Sequence, residues 1–94
     1  MKAKLEGVQQ GNWTDKKTGE LRTGRDLHIT RNPRGEREVR EVWGRVAETL
    51  RVGFDSARLE ELKLGYEYDF DVESGISEGR RWKTALDFGH LPKQ

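Results

Sequence analysis

Cysteine is absent from the 94 residues, so this chain has neither a disulfide framework nor a thiolate metal site. Proline occurs only twice, and no low-complexity linker or internal repeat interrupts the chain. No segment approaches membrane-spanning length, and MKAKLEG at the N-terminus lacks an apolar signal core. The expectation is a cytoplasmic protein that does not enter a membrane. Apolar residues are also scarce, 32% against 37% charged, so disorder competes with folding. Eight aromatic residues and repeated β-branched ones favour a compact fold. At this length that means one domain, residues 1–94, around a single modest core.

What is abundant is charge, and it is unevenly spread. Residues 1–54 carry twelve Lys/Arg against eight Asp/Glu, residues 55–78 two against eight, and residues 79–94 four against one. The net charge is only +1, yet two basic segments flank an acidic one, the pattern of a dipolar molecule with a cationic face. Arginine outnumbers lysine eleven to seven, a bias that suits bidentate phosphate contacts and stacking on bases.

Turn residues recur at the short intervals of an all-β domain. KAKLEGVQQGNW is a first strand, with Ala3 and Leu5 alternating against Lys2, Lys4 and Glu6. The alternation breaks at Gly7-Val8, the mark of a bulge. TDKKTG is a turn, and LRTGRDLHIT a second strand with Leu27 and Ile29 on one face. NPRG at 32–35 reads as another turn. DSARLEELKLG has Asp55 or Ser56 as an N-cap, Leu59 and Leu62 three apart, and Gly65 as a stop, so a short helix is expected. YEYDFDVES sets Tyr66, Tyr68, Phe70 and Val72 against Glu67, Asp69, Asp71 and Glu73, an alternating strand. After the SGISEG turn, RRWKTALDFG is a last strand with Trp82, Thr84, Leu86 and Phe88 on one side.

The segment 38–52 reads two ways. Val39, Val42, Trp43, Val46, Ala47 and Leu50 fall at helical spacing. With period two, Val42, Val46, Leu50 and Val52 share one face with Gly44 and Glu48, and Trp43, Arg45, Ala47 and Arg51 share the other. Gly44 and the valines lean toward strand.

Taken together, GVQQGNWTDKKTGELRTGRDLHIT, VWGRVAETLRVG and LEELKLGYEYDFDVES resemble small single-stranded-DNA-binding OB proteins of bacteriophages and conjugative elements, of the gene V type. The matching pieces lie at 14–19, 44–48 and 62–65, and the resemblance spans most of residues 1–73. It implies that 38–52 is a strand, with Gly44 as a bend, and that the fold is a five-stranded OB barrel, β-β-β-α-β-β. It also implies binding of single-stranded DNA, or RNA, with little sequence preference during phage or mobile-element replication, and a homodimer. The chain ends HLPKQ rather than in an acidic tail, so recruitment of replication partners through such a tail is not implied.

A groove for single strands needs cations along the sugar-phosphate path and aromatic faces for stacking. The first loop supplies Trp13, Lys16 and Lys17, the second strand Arg22, Arg25 and His28, and the third Trp43 and Arg45. The last hairpin supplies Arg80, Arg81, Trp82 and Lys83. The acidic row at 67–73 would have to lie behind the groove. Each tryptophan also has a structural reading: Trp82 alternates with Leu86 and Phe88 as a core anchor would, and Trp43 is core if 38–52 is helical. The second functional reading is a protein–protein adaptor using exposed tryptophans as anchors.

Enzyme readings find little in the sequence. Asp69, Asp71 and Glu73 share a face that could hold Mg²⁺, but such a row is ordinarily a solvated face. His28 and His90 without cysteine do not make a structural zinc site. There is no phosphate-cradling glycine loop, and Ser56, Ser74 and Ser77 sit at a helix cap and in a turn. No cofactor is expected.

Overall fold

The computed structural model describes residues 1–91, the side chain of Trp13 excepted. Strands β1 (Lys2–Thr14), β2 (Leu21–Arg31), β3 (Val46–Val52), β4 (Glu67–Ser77) and β5 (Arg80–His90) form a mostly β protein. Their sheet closes in a ring in the order β1-β2-β3-β5-β4. All neighbours are antiparallel except β3 and β5.

The core comes from alternate strand positions, Ala3 and Leu5, Leu27 and Ile29, Leu50, Tyr68 and Phe70, joined by Ala85 and Phe88 on either side of a bulge in β5. Period two buries the alternating residues while leaving Glu67, Asp69, Asp71 and Glu73 in water. β1 serves two partners. Lys2–Lys4 pair with β4, and from Lys4 on the strand pairs with β2 out to Thr14, with a register shift between Leu5 and Gly7. The bulge expected at Gly7-Val8 lies one residue earlier, at Glu6, which has no partner between Leu5↔Ile29 and Gly7↔His28.

Segment 38–52 is not one strand. Gly35–Glu41 is a helix, α1, and Val46–Val52 alone is β3. Both periodicities were present because two short elements share the window. Gly44, at φ 95°, separates them in a backbone region that side chains with a Cβ avoid. Trp43 and Arg45 consequently lie on a connection rather than on a strand face. Within β3 the period-two face holds: Val46, Glu48 and Val52 are half-buried and Leu50 is buried.

The expected short helix is a 3₁₀ turn, Ser56–Glu61, capped by Asp55 Oδ1, which accepts from the Ala57 N–H at 2.9 Å. It ends before Gly65, which instead donates its N–H to the Leu5 carbonyl at 2.7 Å. SGIS is strand, not turn. β4 runs on to Ser77, and Glu78-Gly79 forms a two-residue hairpin turn with φ of 51° and 76°, the handedness that fits strand twist.

The uniform face expected of β5 is also corrected. The register passes from Asp71↔Asp87 to Val72↔Ala85, so Leu86 is an extra residue. Ala85 and Phe88 both point inward, while Trp82 lies on the other face from Ala85 and is not part of the core.

Candidate nucleic-acid interface

β3 and β5 run parallel but pair only at Arg51–Thr84 and Val52–Ala85. Toward their N-terminal ends the strands diverge, and the wedge between them is a cleft lined by Asp26, Glu48, Thr49, Arg51, Arg81, Trp82 and Lys83. Trp82 is half-buried and lies across the backbone of Gly75, its partner on β4. A Cβ on Gly75 would sit 2.5 Å from Trp82 Cζ2, so only glycine admits the indole there. The ring is thus held against one hairpin wall, with a part of its surface open to the cleft.

The cleft is braced by an ionic chain that starts outside it. Arg31 is the last residue of β2 and the only charged side chain counted as buried among the described residues, at 5% exposure. Its guanidinium donates twice to Glu38 on α1, both at 2.9 Å, and through Nε to Glu48 Oε2 at 2.7 Å. Lys83 Nζ closes on the other oxygen of Glu48. Burial pushes the Glu48 carboxyl up, and the hydrogen bonds from Arg31 and Lys83 outweigh it, leaving the group below its ordinary value. Glu38 is held down at about 2, first by Arg31 and then by the Arg34 N–H. The hydrogen bonds from Glu38 and then Glu48 raise Arg31, so it stays a cation.

Of the residues expected at a binding surface, Arg81, Trp82 and Lys83 line this cleft. His28 is one strand away, its Nε2 2.7 Å from Gln9 Oε1 and its Nδ1 3.4 Å from the hydroxyl of Thr49. Lys16 lies at the tip of the β1–β2 hairpin, 3.6 Å from Glu78 at the tip of the β4–β5 hairpin, so the two arms approach each other. Arg80 is exposed beside that second tip, opposite Ser77. Arg22 pairs with Asp15 at 3.2 Å and Glu20 at 3.9 Å. Lys17 is exposed in the same turn, and its N–H donates to Asp15 Oδ1 at 2.9 Å. Arg25 is half-buried opposite Gln10.

These six lie on the hairpin arms and β2 outside the cleft lining, and two more expected members sit on the connection between α1 and β3. Arg45 turns back to Thr30 Oγ1 at 3.0 Å, Thr30 O at 2.7 Å and Asn32 Oδ1 at 3.0 Å, pinning the connection that carries it. Trp43, 89% exposed, stands on that same connection and is not among the residues lining the cleft. The backbone of Trp13 lies opposite Arg22; its expected stacking role falls outside the described residues.

Sequence reading missed Asp26, Glu48, Thr49 and Arg51 as members of the site. The period-two face of β3 already put Glu48 among the valines, but nothing local told that Arg31 and Lys83 would meet it. Arg51, on the opposite face of β3 from Glu48, lines the cleft as well. The acidic row of β4 is exposed, yet carboxylates do not all lie behind the cations, since Asp26 and Glu48 share the cleft with them.

No family model, curated protein or solved structure matches this chain. Among the described residues no helix is long and apolar enough to cross a membrane.

Proposed function

We propose that this protein binds single-stranded DNA with little overall sequence preference, on a barrel of the OB type. The observation that carries the reading is the cleft in which the indole of Trp82 lies among Arg51, Arg81 and Lys83. An aromatic face flanked by cations is what a flexible, stacked polyanion requires, and each base stacked on such a ring contributes roughly 1–3 kcal/mol. The OB reading draws support from the insertion of β5 between β3 and β4 and from the helical turn joining β3 to β4. The approach of the two hairpin tips at Lys16 and Glu78 supports a groove flanked by both arms. A homodimer in the host cytoplasm, serving phage or mobile-element replication, follows from the resemblance of the sequence and belongs to the same proposal. A small barrel covers little DNA alone, and paired copies would lengthen the site.

Titration with oligo(dT), followed by tryptophan fluorescence, tests it. Binding quenches the emission, and three phosphate contacts give a log K against log salt slope of about −2. Trp82→Ala weakens binding by about tenfold or more while the variant still unfolds in one cooperative transition. A titration without quenching at low salt discards the reading.

A protein–protein adaptor is the second reading, favoured by Trp43 and by Val39, 64% exposed on α1. Trp43→Ala leaves oligo(dT) affinity unchanged if DNA is the ligand of the cleft.

A further inference from the structure

Asp26 is at odds with a cleft suited to phosphate. It sits on β2 opposite Arg51 of β3, lines the cleft and is half-buried. Glu48, the other carboxylate, is matched by Arg31 and Lys83. Among the described residues the Asp26 carboxylate makes no hydrogen bond or ion pair. A bare carboxylate repels phosphate and only accepts hydrogen bonds. Asp26 and the indole line the same cleft, so the edge of a base stacked there supplies the N–H groups that a single strand can offer the carboxylate.

The four bases differ there. Guanine offers N1–H and an N2 amino hydrogen side by side, a match for two carboxylate oxygens. Cytosine and adenine each offer one amino group next to a ring acceptor. Thymine offers one N–H between two carbonyls, whose oxygens repel the carboxylate. We infer that Asp26 is a specificity-determining residue, favouring guanine over thymine at the strand position that stacks in the cleft. Stacking and phosphate contacts elsewhere stay tolerant of sequence. The inference rests on the single-strand reading above.

The test is competition, at one fixed salt concentration, among three oligonucleotides: all thymine, the same with guanine at every third position, and the same with inosine replacing guanine. Inosine lacks the N2 amino group. The expected result is about tenfold tighter binding of the guanine strand than of the thymine strand, with inosine losing most of that advantage. Asp26→Asn abolishes the difference, the thymine strand gaining affinity and the guanine strand losing its advantage. Equal affinities in the unaltered protein, or a guanine preference that survives in folded Asp26→Asn, overturn the inference. The inosine comparison needs no variant, so poor folding of Asp26→Asn leaves a decisive result. If all strands bind alike, only the role of Asp26 fails. If none binds, the single-strand reading fails and takes this inference with it.

Discussion

Two short helical segments connect strands of the ring, and different forces hold them. The 3₁₀ turn Ser56–Glu61 is anchored by apolar packing: Phe54, Leu59 and Leu62 rest on the core, and Phe54 meets Phe88 edge-on at 5.1 Å. Arg58 adds its guanidinium over the Phe88 ring at 4.3 Å and an ion pair to Asp87. The Lys63 N–H donates to the hydroxyl of buried Tyr68 at 2.7 Å, tying down the chain that follows. α1 buries no residue at all. It is tied to the ring by Glu38, which accepts from Arg31 through both oxygens. Apolar anchoring is indifferent to pH and little affected by salt, whereas an ionic clip responds to both. The difference teaches that the same ring can carry one connection held mainly by apolar packing, with an ion pair added, and one conditional connection held by an ionic clip alone. The conditional one is wired, through Arg31, Glu48 and Lys83, to the cleft.

The strongest way to break the apolar side is Phe88→Ala. It removes a ring in contact with Phe54, Tyr68 and Phe70 and should cost about 4 kcal/mol, read from urea unfolding. The 3₁₀ turn should loosen with it, seen as faster amide exchange over 56–61, while α1 exchanges as before until global unfolding. On the ionic side, Arg31→Met should cost about 3 kcal/mol, because Glu48 keeps Lys83 as a partner and Glu38 can turn to water. Here the exchange pattern reverses: α1 loosens and the 3₁₀ turn does not. Equal loosening of both segments in either variant would erase the contrast.

Lys83→Ala sharpens the comparison at the cleft. Loss of its pair with Glu48 should cost about 0.5–1 kcal/mol of stability. The salt slope of oligo(dT) binding should also fall by about 0.7, one phosphate contact fewer. The smallest effect is a local response of α1 to acid. Glu38 is depressed from its ordinary 4.5 to about 2, so its contribution is complete above pH 4.5 and is lost as pH falls toward 2. Amide exchange or chemical shifts over 35–41, corrected for intrinsic pH effects, should show α1 loosening in that window. Glu38→Gln should abolish the transition. A transition unchanged in Glu38→Gln would assign it to another group.

Where the sequence could be read, local alternation or capping was the reason. Tyr68 and Phe70 against Asp69 and Asp71 announce their faces, Leu27 and Ile29 do the same for β2, and Asp55 announces its cap. Trp82 could not be placed because one extra residue, Leu86, lies between it and Phe88 and reverses the face. α1 was hidden because its seven residues bury no apolar side chain that would impose a clear period, and they abut a strand within the same window. The cleft was half legible: the basic run around Trp82 marks one wall, while on β2 the expected Arg25 and His28 flank the residue that lines it, Asp26.

Sequence alone determined the β character, the strand faces up to each bulge, and the clustering of cations near indoles, since all of these are written in neighbouring residues. Tertiary structure decided that β5 enters between β3 and β4, that the parallel pair splays into a cleft, and that Arg31 and Lys83 converge on Glu48 from 17 and 35 positions away. Contacts across such distances depend on how strands close a ring and bury a common core, and no local periodicity carries that information.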